Sequence, residues 1–212
     1  GAITAEQADR MTTADLAAIS TAAIKALSAD ALAALDSTQL PRLTTGQIAV
    51  LTTAQIAGLE AADLSSLSTA QFAVFSSGQV KALSAEQIDL MATDDLAALS
   101  TAAIRGLSTD ALAMLDTAQF NALTTAQFAA LTSAQAKAIT AEQADGMTTA
   151  DLAALSTASI RALSAEAMAA LDSTQLPRLT TAQIVALTSA QIAAFDVGDF
   201  NSLSTAQFNV LS

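Results

Sequence analysis

The 212-residue chain contains no cysteine, histidine, tryptophan or tyrosine, and only two prolines. Without cysteine there is no disulfide framework and no thiolate metal site. Without histidine the usual general base, the commonest metal ligand and any imidazole switch near neutrality are missing. Seven phenylalanines are the whole aromatic complement. Eight basic residues stand against 20 acidic ones, a net charge of −12, which argues against nucleic acid and anionic membrane surfaces and favours solubility. Hydrophobic residues make up 52% and mean hydropathy is +0.47, yet polar residues recur too often for any run to approach the length of a spanning helix. No membrane insertion and no opening signal peptide are expected.

What is present is an eight-residue pattern in a single phase. In Leu67–Val74, LSTAQFAV, the large apolar Leu67 is position 1, Ser68 position 2, Gln71 position 5 and Phe72 position 6. Position 2 is nearly always Ser, Thr or Asp, and position 5 is usually Gln or Asp. That spacing is a capping box, in which the position-2 oxygen accepts the N–H of position 5 and the position-5 side chain accepts the N–H of position 2. Positions 1 and 6 then form a hydrophobic staple. Each octad starts a helix, and the next cap limits it to between one and two turns. A continuous helix is excluded because eight residues overshoot two turns by roughly 80°. A strand is excluded because positions 1 and 6 have opposite parity. Pro41 and Pro177, both at position 7, bias Leu40 and Leu176 away from helix and are expected to fall where the helix has ended.

One octad cannot stand alone. Ordering eight backbones costs on the order of 8 to 16 kcal/mol, against roughly 3 to 6 kcal/mol from burying two large apolar side chains. The octads must stack as a solenoid. The expected fold is therefore an all-α solenoid or superhelix of very short helices, one per octad, with residues 1–212 forming one domain of 26 full octads (3–210). The segment from Ile3 recurs at Leu83 and again at Ile139, and the first block carries three extra octads, 59–82. Shifts of three, seven and ten octads return to one azimuth if a superhelical turn holds roughly 3.3 to 3.5 octads, as apolar spacing reveals a helix's period. Gly1 and Ala2 occupy positions 7 and 8 of an octad, and Leu211 and Ser212 open another. A fragment of a longer array, or a unit that assembles head to tail, is the expectation.

Charges follow the same period. Seventeen acids lie at positions 2, 4 or 5, while all eight basic residues lie at position 7 or 8, the polarity a helix dipole prefers. The adjacent Asp94 and Asp95 lack the spacing and turn glycine of a calcium loop, so capping and solvation are expected of them. Phe72, Phe75, Phe120, Phe128, Phe195, Phe200 and Phe208 all sit at positions 1 or 6 and are assigned to the core. The many hydroxyls have no activated base beside them; those at position 3 form a candidate solvent-facing ladder able to meet a surface, water or glycan. The glycines form no phosphate-cradling cluster. No catalytic, cofactor-binding or metal residue is assigned, no cofactor is expected, and the chain is not expected to be an enzyme.

The unit A-L-[ST]-T-A-Q-[IF]-A, as in ALTTAQFA from Ala122 to Ala129, resembles the octad tracts of very large exported, adhesin-like proteins of Gram-negative bacteria, often associated with haemolysin-type repeats. That resemblance implies a structural role at the cell surface or outside the cell, and carries over no catalytic residue. LTTAQIVALTS, Leu179 to Ser189, is also similar to the opening of a transcription activator-like effector repeat, but that repeat is about four octads long and presents basic residues to DNA, whereas this chain renews its box every eight residues and is acidic. The reading is a rod, spacer or adhesive stalk of a secreted or surface protein, possible head-to-tail self-association included. The alternative is a binding scaffold for a protein or glycan.

Overall fold

The structure is a computed structural model describing residues 3–211; Gly1, Ala2 and Ser212, with the octads they would extend, lie outside the described residues. Among the described residues there are 24 α-helices of four to six residues, two 3-10 turns and no strand, one helical element per octad. Every α-helix but two opens on a Ser, Thr or Asp N-cap in extended conformation; Glu60 and Ala92 fill that place in the other two. The reciprocal box forms wherever Gln follows. At Thr53–Ala57, Thr52 Oγ1 accepts the Gln55 N–H at 3.2 Å while Gln55 Oε1 accepts the Thr52 N–H at 2.8 Å. The two proline octads differ. Their first half is a turn held by Asp36 or Asp172, and the helix is replaced by a 3-10 turn, Leu40–Arg42 or Leu176–Arg178, with proline in its first turn, where its missing N–H is not needed. Leu40 and Leu176 remain fully buried.

Contacts divide the chain into two compact units, the first up to Leu107 and the second from Ser108. In each, helices pack against those three octads away: Thr45–Ala49 against Thr69–Phe72 in the first, Ser133–Lys137 against Thr157–Ala162 in the second. Side-chain hydrogen bonds join residues 28 and 31 apart. One coil of the solenoid therefore takes about 28 residues, or three and a half octads, inside the range expected from the block shifts. Positions 1 and 6 form the core: Leu99 is 3% exposed and Leu64, Phe72, Phe120 and Phe128 are 0%. The phenylalanines meet each other there, with Phe120 and Phe128 edge to face at 5.2 Å. Two depart from the core assignment, for Phe200 is half-buried and Phe208 is 46% exposed, on the last described coil, which no further coil covers among the described residues.

Position 8 packs over position 3 of the coil below. Gly106 shows how closely: a Cβ there would stand 2.0 Å from the Ser77 carbonyl oxygen, backbone that cannot swing aside. Gly46, by contrast, is exposed, and a Cβ there would make only ordinary contact, with Thr44 Oγ1 at 3.9 Å and Thr21 Cγ2 at 4.0 Å.

Gly106→Ala is expected to lower stability by about 1 to 3 kcal/mol through overpacking, whereas Gly46→Ala, in an exposed helix interior, should raise it by about 0.5 to 1 kcal/mol. Leu99→Ala should cost about 2 to 5 kcal/mol as a buried truncation. Urea denaturation midpoints of the three variants check the close coil contact and the buried position 1 together.

Candidate functional site

All fifteen glutamines of the chain fall at position 5, and no glutamate does. Fourteen of them are buried, Gln7 alone being exposed. Burying a primary amide without partners would cost roughly 1 to 3 kcal/mol, so its bonds must be accounted for. The carbonyl half closes the capping box. The amino half does something the box does not require: it donates to two backbone carbonyls of the coil below. Gln55 Nε2 reaches the carbonyls of Ile24 and Leu27 at 2.9 and 3.0 Å. Gln47 reaches Leu16 and Ile19 at 2.8 and 2.7 Å, and Gln79 reaches Ile48 and Leu51 at 2.9 and 3.0 Å. In the second unit Gln143 reaches Leu112 and Leu115, both at 2.9 Å, and Gln191 reaches Ile160 and Leu163 at 2.7 and 2.9 Å. The acceptors lie at position 6 and the following position 1, the place where one helix ends and the next octad begins, and Gln39, Gln175 and Gln183 also reach the position-7 carbonyls of Asp9, Asp145 and Ala153. The position-6 carbonyl also accepts the N–H of the following position 1, as Ile24 does from Leu27 at 3.2 Å, and the glutamine gives it a second donor from the next coil.

The capping half of this arrangement is legible in the sequence; the stitching half is not among the expectations above. Its signal was there in the residue choice. A capping box accepts Glu as well as Gln, so the choice of Gln and never Glu at position 5 marks a buried site that needs donor as well as acceptor.

Where position 5 is not Gln, the link changes. Ser159 Oγ bonds the Leu131 carbonyl at 3.2 Å. Asp95 and Asp151, each 6% exposed, accept the hydroxyls of Thr69 and Thr125 at 3.0 and 2.7 Å, 26 residues back at position 3. Ala103 and Ala111 carry no polar group there. Desolvation pushes the Asp95 carboxyl above its ordinary 3.8, with Asp94 adding to the rise and the Thr69 hydroxyl opposing it. Desolvation also raises Asp63, helped by Glu60 and Asp36, against the Ser37 N–H. Asp36 and Asp172 are held below the ordinary value by the side chain of Thr38 or Thr174, together with backbone N–H groups. Asp94 and Asp95 thus do not converge: one is exposed, the other tied to Thr69. Among the described residues no group of three His, Cys, Asp or Glu could hold a metal, and no helix is long and apolar enough to cross a membrane. Position-3 hydroxyls such as Thr45, Thr53 and Thr101 are exposed.

Two shallow grooves occupy equivalent places, one in each unit. The first, of 390 Å³, runs past Glu60 and Glu86; the second, of 540 Å³, past Asp116 and Glu142.

Short capped helices wound at three and a half octads per coil and stitched by buried glutamines define a helical repeat protein of the solenoid class. The ALTTAQ repeat model matches it at residues 8–45, 56–93, 90–125 and 144–181, well over half of the chain. The chain belongs to the ALTTAQ repeat family. No curated protein matches it.

Gln55→Glu keeps the box acceptor but turns both stitches into a buried carboxylate facing two carbonyls, an expected loss of about 2 to 4 kcal/mol at pH 7. Burial and the facing carbonyls raise the new carboxyl's pKa in the folded state, so the penalty is present above that pKa and relieved as pH falls through it. Denaturation at pH 7 and pH 4, each against the unaltered chain, reads the difference. Gln7→Glu, exposed, should change stability by no more than about 0.5 kcal/mol.

Asp95→Asn tests the second kind of link. Because the folded-state pKa of Asp95 is raised, the charged form opposes folding above it and the opposition fades as pH drops toward 3.8. The stability difference between Asp95→Asn and the unaltered chain should accordingly shift in favour of the unaltered chain on acidification, in the same denaturation series.

Proposed function

We propose that this chain is a mechanical segment, a rod or spacer in a secreted or cell-surface protein, that it catalyses no reaction, and that it associates head to tail. The observation that carries the reading is the glutamine ladder. The distinctive side chain of the repeat is spent on its own N-cap through the carbonyl and on the coil below through the amino group, so the repeat's chemistry goes to holding the chain wound. Apart from Val197, exposed positions 3 and 4 are small, hydroxylated or acidic, a composition suited to solvent. A resemblance to octad tracts of large exported proteins supports the extracellular placement.

The alternative, a scaffold that recognises a protein or glycan, draws on the two grooves, which recur at the same repeat positions and are each flanked by a pair of acids.

Stretching single molecules from both ends tests the mechanical reading. Nearest-neighbour coupling of the kind found in repeat arrays predicts release in steps of about one coil, each lengthening the chain by roughly 90 to 100 Å for 28 residues at full extension. A single rupture of the whole chain would count against it. Protease shaving of intact producing cells tests the placement: a surface segment is cut, an internal one is spared.

A further inference from the structure

Like charges are doubled on helices that touch. In the first unit Glu60, at the start of Ala61–Leu64, and Glu86, within Ala85–Asp89, belong to helices packed on each other, and both line the 390 Å³ groove. In the second unit Asp116 and Glu142 stand in the same way on Thr117–Asn121 and Ala141–Gly146 and line the 540 Å³ groove. An acid at position 2 followed by another at position 4, 26 residues on, occurs at these two places and nowhere else in the chain. Position 8 is unusual there as well. Leu90 and Met114 are the only leucine and methionine at that position; they are 47% and 57% exposed, and each lines one of the grooves.

Basic residues are doubled too. Lys81 ends Ser77–Lys81 and Arg105 follows Thr101–Ile104, two helices in contact. In the second unit Lys137 ends Ser133–Lys137 and Arg161 lies in Thr157–Ala162, again in contact. All eight charged residues are exposed, and none makes an ion pair with another described residue. Glu142 accepts the Thr117 hydroxyl at 3.3 Å, and Glu60 fills an N-cap place without capping it. Like charges set side by side oppose folding, and here neither sign has a counter-charge in its own chain.

We infer that the two faces meet between copies: the basic pair of one chain docks on the acidic groove of a second chain, flank against flank. The faces match in sign, in number and in span, since every pair bridges two packed helices three octads apart. The lysine and arginine ends lie between the carboxylates while their aliphatic stems run along Leu90 or Met114. That contact accounts for a large apolar residue at a position that is alanine or glycine in most octads. An acidic groove calls for a cationic partner, and this chain displays one in the matching arrangement. The net charge of −12 opposes the approach of two copies, but a Debye length of about 8 Å at about 0.15 M salt screens that long-range repulsion and leaves charges in contact attracted. Two different faces meet, so the contact does not close on itself and chains gather side by side. This mode gives the grooves an occupant and does not depend on head-to-tail association.

Sedimentation velocity over a range of concentrations, at about 0.15 M and about 1 M salt, tests the contact. Glu60→Lys, Glu86→Lys, Glu142→Lys reverses the grooves, with Asp116 kept because it caps its helix. Asp30→Lys, Asp110→Lys, Glu166→Lys makes the same change of net charge at exposed acids outside the grooves. The unaltered chain is expected to associate reversibly at the lower salt and to separate at the higher. The groove variant should associate about tenfold more weakly, and the control variant within about threefold of the unaltered chain. A Lys81→Glu, Arg105→Glu, Lys137→Glu, Arg161→Glu chain mixed with the groove variant should regain the association that neither shows alone. Circular dichroism checks that each variant keeps its helix content. An unaltered chain that stays monomeric, equal weakening by the two triple variants, or no recovery on mixing would overturn the inference. Association that is the same in every variant and at both salt levels is head to tail; it overturns the flank contact and leaves the head-to-tail one standing.

Discussion

The solenoid depends on one side chain bonding in two directions. The position-5 amide accepts an N–H from its own N-cap and donates to two carbonyls of the coil below, as Gln55 does with Thr52, Ile24 and Leu27. Short helices make this necessary. A helix of five residues leaves nearly all of its terminal N–H and C=O groups without intrahelical partners, and a stack of such helices buries many of them. The N-cap hydroxyl answers the donors. The glutamine answers the acceptors, and because those belong to a different coil, satisfying them also fixes the spacing between coils.

Two kinds of link follow from what occupies position 5. Where it is Gln, the side chain fills the gap between coils. The most extensive helix packing occurs where it is Ser, Asp or Ala, as Ser133–Lys137 does with Thr157–Ala162, whose position 5 is Ser159. Gly106 belongs to the same region of small residues, beside Ala103 and Ala111, with backbone approaching backbone too closely for a methyl group. Amide stitching and close backbone packing are alternative solutions to one problem, and the chain uses both in succession along each block. The buried carboxylates Asp95 and Asp151 belong to the second kind. Their hydroxyl partners offset part of the desolvation that raises Asp95, which is why a charge is tolerated at a position otherwise neutral.

Much of this was legible in the sequence because the determinants are local. The capping box, the staple and the eight-residue helix length all act within a single octad, and the block shifts of three, seven and ten octads carry the three and a half octads per coil. The donor half of the glutamine was not legible from spacing, since its acceptors lie 28 and 31 residues away and are backbone atoms, which leave no mark on the sequence. Only the exclusion of Glu from position 5 pointed to it. Pro41 and Pro177 were read as ending a helix; the structure instead tightens that octad into a 3-10 turn while keeping Leu40 and Leu176 in the core. Phe200 and Phe208 carry the same repeat positions as Phe120 and Phe128, so no local rule could separate the exposed pair from the buried one. What separates them is the coil above.

The stitch also explains how blocks of different length coexist in one chain. Because a coil is three and a half octads, each position 5 lies over the junction between two octads of the coil below, and every such junction offers the same two carbonyls. Inserting whole octads, such as the three at 59–82, therefore leaves each glutamine with a proper pair of acceptors. What an insertion changes is which variable residues come to overlie one another. Aspartate at position 5 is the sensitive case where it is buried, since Asp95 and Asp151 each take a hydroxyl donor 26 residues back. Their donors are Thr69 and Thr125, and Asp63 and Asp199 likewise have a serine 26 residues back in the sequence, Ser37 and Ser173. The backbone grammar permits any number of octads, and the side-chain pairing restricts which ones can follow.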